Sequence, residues 1–125
     1  MNKILIVEDE LAYLTLLEDK LKEEGYLVYS ATDGQKGLES ALKNHPDLIL
    51  LDIVMPLMDG MTMLTQLRQD VPYGESVKVI MLTNVELNSE IMKKIVKDRP
   101  AFYLLKSRVT LMEMAEKIKE ILIAK

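Results

Sequence analysis

The sequence contains no cysteine, which excludes disulfide bonds, thiolate metal sites and cysteine nucleophiles. It contains no tryptophan, and its five tyrosines and one phenylalanine are too few for a base-stacking platform or an aromatic ligand cage. No apolar run approaches the roughly 18 residues that a membrane span needs, and the first apolar segment does not have the form of a secretory signal. We therefore expect a cytoplasmic protein without membrane insertion.

Basic residues are fewer than acidic ones. The chain has 16 Lys plus Arg against 20 Asp plus Glu, which gives a formal charge of -4. This is the wrong sign for binding a phosphate backbone, so we expect no direct contact with nucleic acid. With 125 residues, 49% hydrophobic and 29% charged, the chain has the size and composition of one globular domain covering residues 1-125.

Five short apolar runs, bounded by turn residues and rich in branched side chains, are typical of β-strands. They cover residues 3–7, 26–30, 47–51, 77–82 and 101–105. Runs that are apolar at successive positions indicate strands buried on both faces, as in a parallel sheet between two layers of helices. The alternation of strands and helices predicts an α/β fold, a (βα)5 three-layer sandwich with right-handed crossovers.

The segments between these runs have apolar residues at spacings of three and four, which predicts amphipathic helices. The apolar positions are Leu14, Leu17 and Leu21; Leu38, Ala41 and Leu42; Leu64 and Leu67; Leu87, Ile91 and Ile95; and Leu111, Ala115, Ile118 and Leu122. Thr32 with Gln35, and Thr110 with Glu113, have the spacing of a capping box at a helix start.

Polar side chains follow four of the predicted strands. Glu8 and Asp9 follow the first strand, Asp52 the third, Thr83 the fourth and Lys106 the fifth. In an open parallel sheet, ligands bind beyond the carboxyl ends of the strands, so we expect these side chains to converge at one edge of the sheet.

Carboxylates crowded together repel one another and raise each other's pKa unless a cation neutralises them. Mg²⁺ suits such a cluster, because it prefers hard oxygen ligands and usually takes one or two carboxylates together with a substrate phosphate. A carboxylate facing the open coordination position can attack phosphorus, and we assign this role to Asp52. Lys106 would then offset charge on the phosphoryl oxygens, and the Thr83 hydroxyl would donate to them.

Several further residues belong to the same pattern. Asp52 is followed by Met55-Pro56 and Asp59-Gly60, and Tyr103 lies three residues before Lys106. Taken with the acidic pair and Thr83, this pattern resembles the CheY-like receiver domain of two-component response regulators, and the resemblance covers essentially the whole chain.

The resemblance implies a sheet of order 2-1-3-4-5 and a phosphoryl group accepted by Asp52 from a phosphohistidine on a sensor histidine kinase or a phosphotransfer protein. It implies that Mg²⁺ is bound by Asp9, Asp52 and the backbone carbonyl of Val54, with Glu8 acting through a water. Such a domain catalyses only its own aspartyl phosphorylation and dephosphorylation, and it is not an enzyme with a separate substrate.

The resemblance also implies a switch, in which Thr83 and Lys106 hold the phosphoryl group and Tyr103 swings inward when Thr83 moves. The output partner would bind the face formed by the fourth helix, the fifth strand and the fifth helix. The domain would be a monomer or a phosphorylation-dependent dimer. Whether it is a stand-alone regulator or part of a longer protein stays open, as do the kinase and the signal.

Other interpretations exist for each residue and for the whole. Taken singly, the acidic pair could complement a helix dipole, Asp52 could belong to a turn and Lys106 could be a surface lysine. A pseudo-receiver would have lost one of these groups. A haloacid-dehalogenase-like phosphatase would place a second acid where Val54 stands, and a flavodoxin-like carrier would need a phosphate-binding loop where the acidic pair lies.

The sequence departs from the family pattern at three places. Ser107 follows Lys106 where most receivers have a proline with a cis bond, and a cis bond to a non-proline residue costs about 2.5–4 kcal/mol. Either this bond is trans or the site is strained. Arg99-Pro100 replaces a small Gly-Ala pair, and Asn84 stands where a small residue is common.

Overall fold

The computed structural model describes residues 1–84, 90, 93 and 96–124. Five strands form one parallel sheet in the order β2-β1-β3-β4-β5, which confirms the predicted architecture. The strands are β1 (Lys3–Val7), β2 (Leu27–Ala31), β3 (Leu48–Asp52), β4 (Lys78–Thr83) and β5 (Phe102–Leu105). Each lies within one residue of its predicted bounds.

Helices connect the strands and cover both faces of the sheet. They are α1 (Leu11–Glu23), α2 (Gly34–Asn44), α3 (Gly60–Arg68), the single turn α4 (Tyr73–Ser76) and α5 (Leu111–Ile123), with a 3-10 turn at Lys106–Arg108. The sequence pattern did not predict α4. The predicted helix with Leu87, Ile91 and Ile95 lies largely outside the described residues, and these three positions are among those not described.

The core is divided by the sheet into two apolar layers, because successive strand residues point to opposite faces. In β1, Leu5 and Val7 pack towards α2 and α3, whereas Ile4 and Ile6 pack towards α1 and α5. The central strands β1, β3 and β4 are almost entirely buried, but the edge strands are not, since β2 and β5 are largely exposed or half-buried. Burial on both faces was therefore a correct expectation for the central strands only.

The helix starts agree with the sequence at one position and differ at another. Thr110 and Glu113 form the predicted capping box at the start of α5. The prediction for Thr32 is wrong, because the cap of α2 is Asp33, whose carboxylate accepts from the Lys36 amide at 2.8 Å. Aspartate is an equally good cap, so spacing alone did not distinguish the two adjacent positions.

Most of the apolar positions predicted for the helices are buried in the described part of the chain, but three of them are only half-buried: Leu38, Leu111 and Leu122. Leu14, Leu17 and Leu21 of α1 are buried, but Leu42 near the end of α2 is 39% exposed.

The residues before β5 are fixed by Arg68 at the end of α3. Its guanidinium donates to the backbone carbonyls of Asp98 at 2.8 Å, Arg99 at 3.0 Å, Gly74 at 3.0 Å and Val77 at 2.7 Å. Arg99 has a positive φ of 52°, a conformation that glycine adopts without steric cost. The family pattern has a small Gly-Ala pair at this place. Two of these charge-assisted hydrogen bonds hold the carbonyls of Asp98 and Arg99, so they help to stabilise the backbone at this non-glycine residue.

The peptide bond between Lys106 and Ser107 is trans, because Val71–Pro72 is the single cis bond in the part of the chain that the structure describes. No helix among the described residues is both long and apolar enough to traverse a lipid bilayer.

Candidate functional site

The structure brings the predicted polar residues together at the carboxyl edge of the sheet. Asp52 and Thr83 are the last residues of β3 and β4 rather than the first residues after them. Glu8 and Asp9 directly follow β1, and Lys106 directly follows β5. The expected convergence of these side chains is therefore confirmed, although two of the predicted strands extend one residue further than expected.

The backbone at Asp52 is held in place by the start of α3. The Gly60 amide donates to the Ile53 carbonyl at 2.8 Å, and a Cβ atom at Gly60 would lie 2.0 Å from the Asp52 carbonyl oxygen. Asp59 caps α3 by accepting from the Thr62 amide at 2.8 Å. The Asp-Gly pair thus combines a helix cap with the absence of a side chain where α3 touches the end of β3.

Lys106 is the cation of the site. Its Nζ donates to Oε1 of Glu8 in a very short contact and to Oδ2 of Asp52 at 3.1 Å. Its side chain is only 9% exposed, and Glu8 is completely buried. The lysine is therefore an internal counter-ion of two carboxylates rather than a surface residue.

The pKa of the Glu8 carboxyl is raised to about 8, first by burial and then by the neighbouring Asp52 carboxylate, and together these outweigh the lowering effect of Lys106. For Lys106, burial acts to lower the pKa, but the hydrogen bond to Glu8 and the charge of Asp52 outweigh it, so the net pKa is raised. The Glu8 shift thus comes first from burial, whereas the Lys106 shift comes from its contacts with the two carboxylates.

A cleft of about 300 Å³ opens above these groups. It is lined by Asp9, Glu10, Asp52, Val54, Thr83, Asn84 and Lys106. Thr83 is fully buried at its wall, and the Val54 side chain is exposed at its rim. The cleft therefore offers carboxylate, hydroxyl and ammonium groups to a small anionic group and leaves it open to solvent.

The carboxylates fit a hard divalent cation. Glu8, Asp9 and Asp52 can each place one oxygen so that the three lie within 4.8 Å of one another. The second Glu8 oxygen, Oε2, is buried and makes no hydrogen bond within the described part of the chain. A buried acceptor without a donor is costly, and a cation or its bound water would satisfy it.

Tyr103 lies away from the cleft. It stands opposite Met81 in the sheet, its side chain is 42% exposed, and its ring stacks on that of Phe102 with centroids 6.3 Å apart. It lines a separate depression of about 470 Å³ between β5 and α5. In this structure the predicted switch residues thus lie apart, with Thr83 at the cleft and Tyr103 facing outward.

Two residues of the site were missed by sequence reasoning. Glu10, which follows Glu8 and Asp9 as a third consecutive acid, lines the cleft. The centroid of the Tyr13 ring lies 4.9 Å from Lys106 Nζ. Tyr13 sits in α1 among residues with helical apolar spacing, where a tyrosine indicates ordinary packing. No local pattern reveals that a lysine from the other end of the chain lies against it.

The chain is similar in sequence to response regulators. Residues 4–119 match the model of the response regulator receiver domain. The alkaline phosphatase synthesis transcriptional regulatory protein PhoP of Bacillus subtilis is 46% identical over 68 residues, which cover 54% of this chain and 28% of PhoP. Response regulator PleD of Caulobacter vibrioides is 42% identical over 84 residues, covering 67% of this chain and 18% of PleD. The matched segments thus span less than a third of the length of each of these two relatives.

Solved structures agree with the sequence comparisons. A CheY-like response regulator receiver domain protein from Methanospirillum hungatei superposes with a TM-score of 0.88 at 31% identity, covering 98% of this chain and 94% of that one. The receiver domain of sensor histidine kinase PA1611 from Pseudomonas aeruginosa has a TM-score of 0.87 at 27% identity, covering 98% of both chains.

Fold, site geometry and comparisons are in agreement. The family match extends over nearly the whole chain, the sheet order is the one that the resemblance implied, and the polar residues at the strand ends are those that the sequence pattern predicted. This chain belongs to the response regulator receiver domain family of two-component systems.

Proposed function

We propose that Asp52 accepts a phosphoryl group from a phosphohistidine and that this modification switches the binding of an output partner. The observation that carries the proposal is the position of Asp52. It lies at the base of an open cleft, with the Lys106 ammonium group 3.1 Å from its Oδ2 and two further carboxylates beside it. With a divalent cation on the carboxylates, these groups would suit a transferred phosphoryl group better than a neutral ligand.

Four groups are proposed to bind Mg²⁺: the carboxylates of Asp9 and Asp52, the backbone carbonyl of Val54, and Glu8 through a water. The buried, unpaired Oε2 of Glu8 supports this assignment, as does the receiver domain of PA1611, described with a magnesium ion coordinated in its active site cleft. Bound Mg²⁺ would offset the negative charges of the carboxylates and the phosphoryl oxygens.

The residues of the chain supply the rest of the reaction. An oxygen of Asp52 forms a bond to phosphorus as the phosphorus–nitrogen bond to the donor imidazole breaks, and the imidazole nitrogen keeps the electron pair. Lys106 exchanges a carboxylate contact for a phosphoryl oxygen, and Thr83 donates its hydroxyl to another. The domain thus catalyses its own modification and has no separate substrate.

The partners are proposed to be a sensor histidine kinase or phosphotransfer protein in the cytoplasm, and an output partner. The output face would include β5, α5 and the helix predicted around Leu87, Ile91 and Ile95, which is not α4 and lies largely outside the described residues. The depression between β5 and α5, with Tyr103 at its edge, supports this assignment. Thr83 stands opposite Leu105 in the sheet, two residues beyond Tyr103, so movement at Thr83 would be transmitted along β5.

Incubation with phosphoramidate and Mg²⁺, followed by intact mass measurement, tests the proposal. We expect the mass to rise by one phosphate, with the modification on the peptide that contains Asp52. Omitting Mg²⁺ should slow the gain strongly, because the crowded carboxylates would then repel the anionic donor. No gain with metal and donor present would contradict the proposed function.

Mg²⁺ should stabilise the fold more at pH 8.5 than at pH 6. The pKa of Glu8 rises from 4.5 to about 8 on folding, so the folded state binds more protons than the unfolded state between these values. Without metal, stability therefore falls as pH rises through this window. Mg²⁺ binds the ionised carboxylates of the folded state, and it should raise the melting temperature by ~5 °C at saturating metal.

Thermal melting with and without Mg²⁺ at the two pH values measures this effect. Asp9→Asn should remove most of the metal-dependent shift, whereas Asp19→Asn, on the exposed surface of α1, should retain it. A shift of equal size at both pH values, or one that survives Asp9→Asn, would count against the assigned ligands.

A further inference from the structure

The face of the Tyr13 ring lies against the ammonium group of Lys106. Nζ is 4.9 Å from the ring centroid, within the range of about 6 Å at which a cation is attracted to an aromatic face. Tyr13 belongs to the first turn of α1 and packs against the core between α1, α5 and the sheet. Its position is therefore fixed by the core rather than by the lysine.

The other two contacts of this ammonium group are of a different kind. Glu8 and Asp52 both accept hydrogen bonds from Lys106, and both belong to the carboxylate cluster proposed to bind a divalent cation. A cation there would draw on the same oxygens and weaken their attraction for the lysine. The ring of Tyr13 is not a cation ligand, so its attraction for Lys106 would persist.

We propose that Tyr13 is a positioning residue that keeps the Lys106 ammonium group at the cleft when Glu8 and Asp52 are engaged by metal. The inference rests on the proposed function, since Lys106 must be positioned only if a phosphoryl group arrives at Asp52. It assigns Tyr13 a role beyond packing and makes the efficiency of phosphoryl transfer depend on an aromatic ring in α1.

The ring rather than the hydroxyl carries this role. Burial raises the pKa of the Tyr13 phenol above its usual value of 10.0, so the phenol is neutral at physiological pH and contributes no charge. Phenylalanine at this position should therefore act like tyrosine, whereas leucine is apolar and smaller and has no aromatic face.

The first measurement reports the contact itself and needs no activity. In protein labelled with ¹³C-lysine, the ε-methylene signal of Lys106, assigned by its loss in Lys106→Arg, should lie upfield of the other lysines because of the ring. The upfield position should persist at saturating Mg²⁺, remain in Tyr13→Phe and disappear in Tyr13→Leu. An ordinary lysine shift in the wild-type protein, or loss of the upfield shift on adding Mg²⁺, would overturn the proposal.

The second measurement is the rate of phosphorylation by phosphoramidate at varied donor concentrations with saturating Mg²⁺. Tyr13→Leu should lower the maximal rate by about three- to tenfold, the effect of one cation–π contact, and Tyr13→Phe should restore it. Tyr26→Leu is the matched control, because Tyr26 packs against the same core layer but precedes β2, at the end of the sheet opposite to Lys106.

The outcomes separate the two proposals. If the wild-type chain gains no phosphate, the proposed function fails and the role of Tyr13 fails with it. If the wild type is phosphorylated on Asp52 but Tyr13→Leu keeps the wild-type maximal rate, only the role of Tyr13 is overturned. An equal loss of rate in Tyr26→Leu would also overturn it, because the effect would then be one of packing.

Discussion

Replacing Asp52 with asparagine should abolish the gain of a phosphate on incubation with phosphoramidate and Mg²⁺. The amide has nearly the same shape as the carboxylate but lacks the anionic oxygen that attacks phosphorus. It also offers a poorer ligand to a divalent cation. Asp52 is the carboxylate that both contacts Lys106 and lines the open cleft, so no neighbouring acid has an equivalent position among the described residues.

The fold of this variant should remain intact. Replacing Asp52 removes the charge of one of the three crowded carboxyl groups, which lowers the repulsion within the cluster. We therefore expect Asp52→Asn to melt at the wild-type temperature or above it in the absence of metal, so that a loss of phosphorylation cannot be attributed to unfolding.

Intact mass spectrometry after incubation with the donor measures the effect. Asp19→Asn makes the same chemical change on the exposed surface of α1 and should leave the gain unchanged. Phosphorylation of the Asp52→Asn chain to the wild-type extent would show that another carboxylate, such as Asp9, is the acceptor.

Replacing Gly60 with alanine should destabilise the protein by about 3 kcal/mol or more, because the added methyl group meets backbone that has no rotamer to change. The new Cβ would lie 2.0 Å from the carbonyl oxygen of Asp52 and 3.0 Å from the Cα of Ile53. Either α3 or the end of β3 must move. Because the carbonyl belongs to the proposed phospho-acceptor, phosphorylation should slow as well.

Urea unfolding of wild type and variant measures the stability change, and the phosphoramidate assay measures the rate. Gly25→Ala is the matched control. Gly25 has a positive φ of 94° but nothing within 4 Å of an added Cβ, so its substitution should cost only about 1 kcal/mol of backbone strain. A smaller loss of stability for Gly60→Ala than for Gly25→Ala would contradict the close approach seen in the structure.

The family and the residues of the site could be predicted from the sequence because they depend on local signals. Apolar runs that alternate with helical periodicity specify a parallel α/β sheet, and such a sheet places the residues at its strand ends on one edge. Asp52, Thr83 and Lys106 were identified in this way although they are far apart in the chain. Their roles in phosphoryl transfer remain predictions.

Sequence reasoning was less accurate where two neighbouring residues offer the same chemistry. Thr32 and Asp33 are both good helix caps, and the choice between them depends on where the chain leaves β2. The sequence also left undetermined whether the Lys106–Ser107 peptide bond is cis or trans, and the structure shows that it is trans.

By itself, then, the sequence determined the fold class, the strand positions and the set of charged groups at the strand ends, since each follows from spacing along the chain. The tertiary structure alone decided that Lys106 is paired inside the cluster rather than exposed, that an oxygen of Glu8 is buried without a hydrogen-bond partner among the described residues, and that Tyr13 lies against the lysine. The physical reason is that burial and charge pairing depend on distances between segments that are remote in sequence. Those distances are set only when helices and sheet pack together.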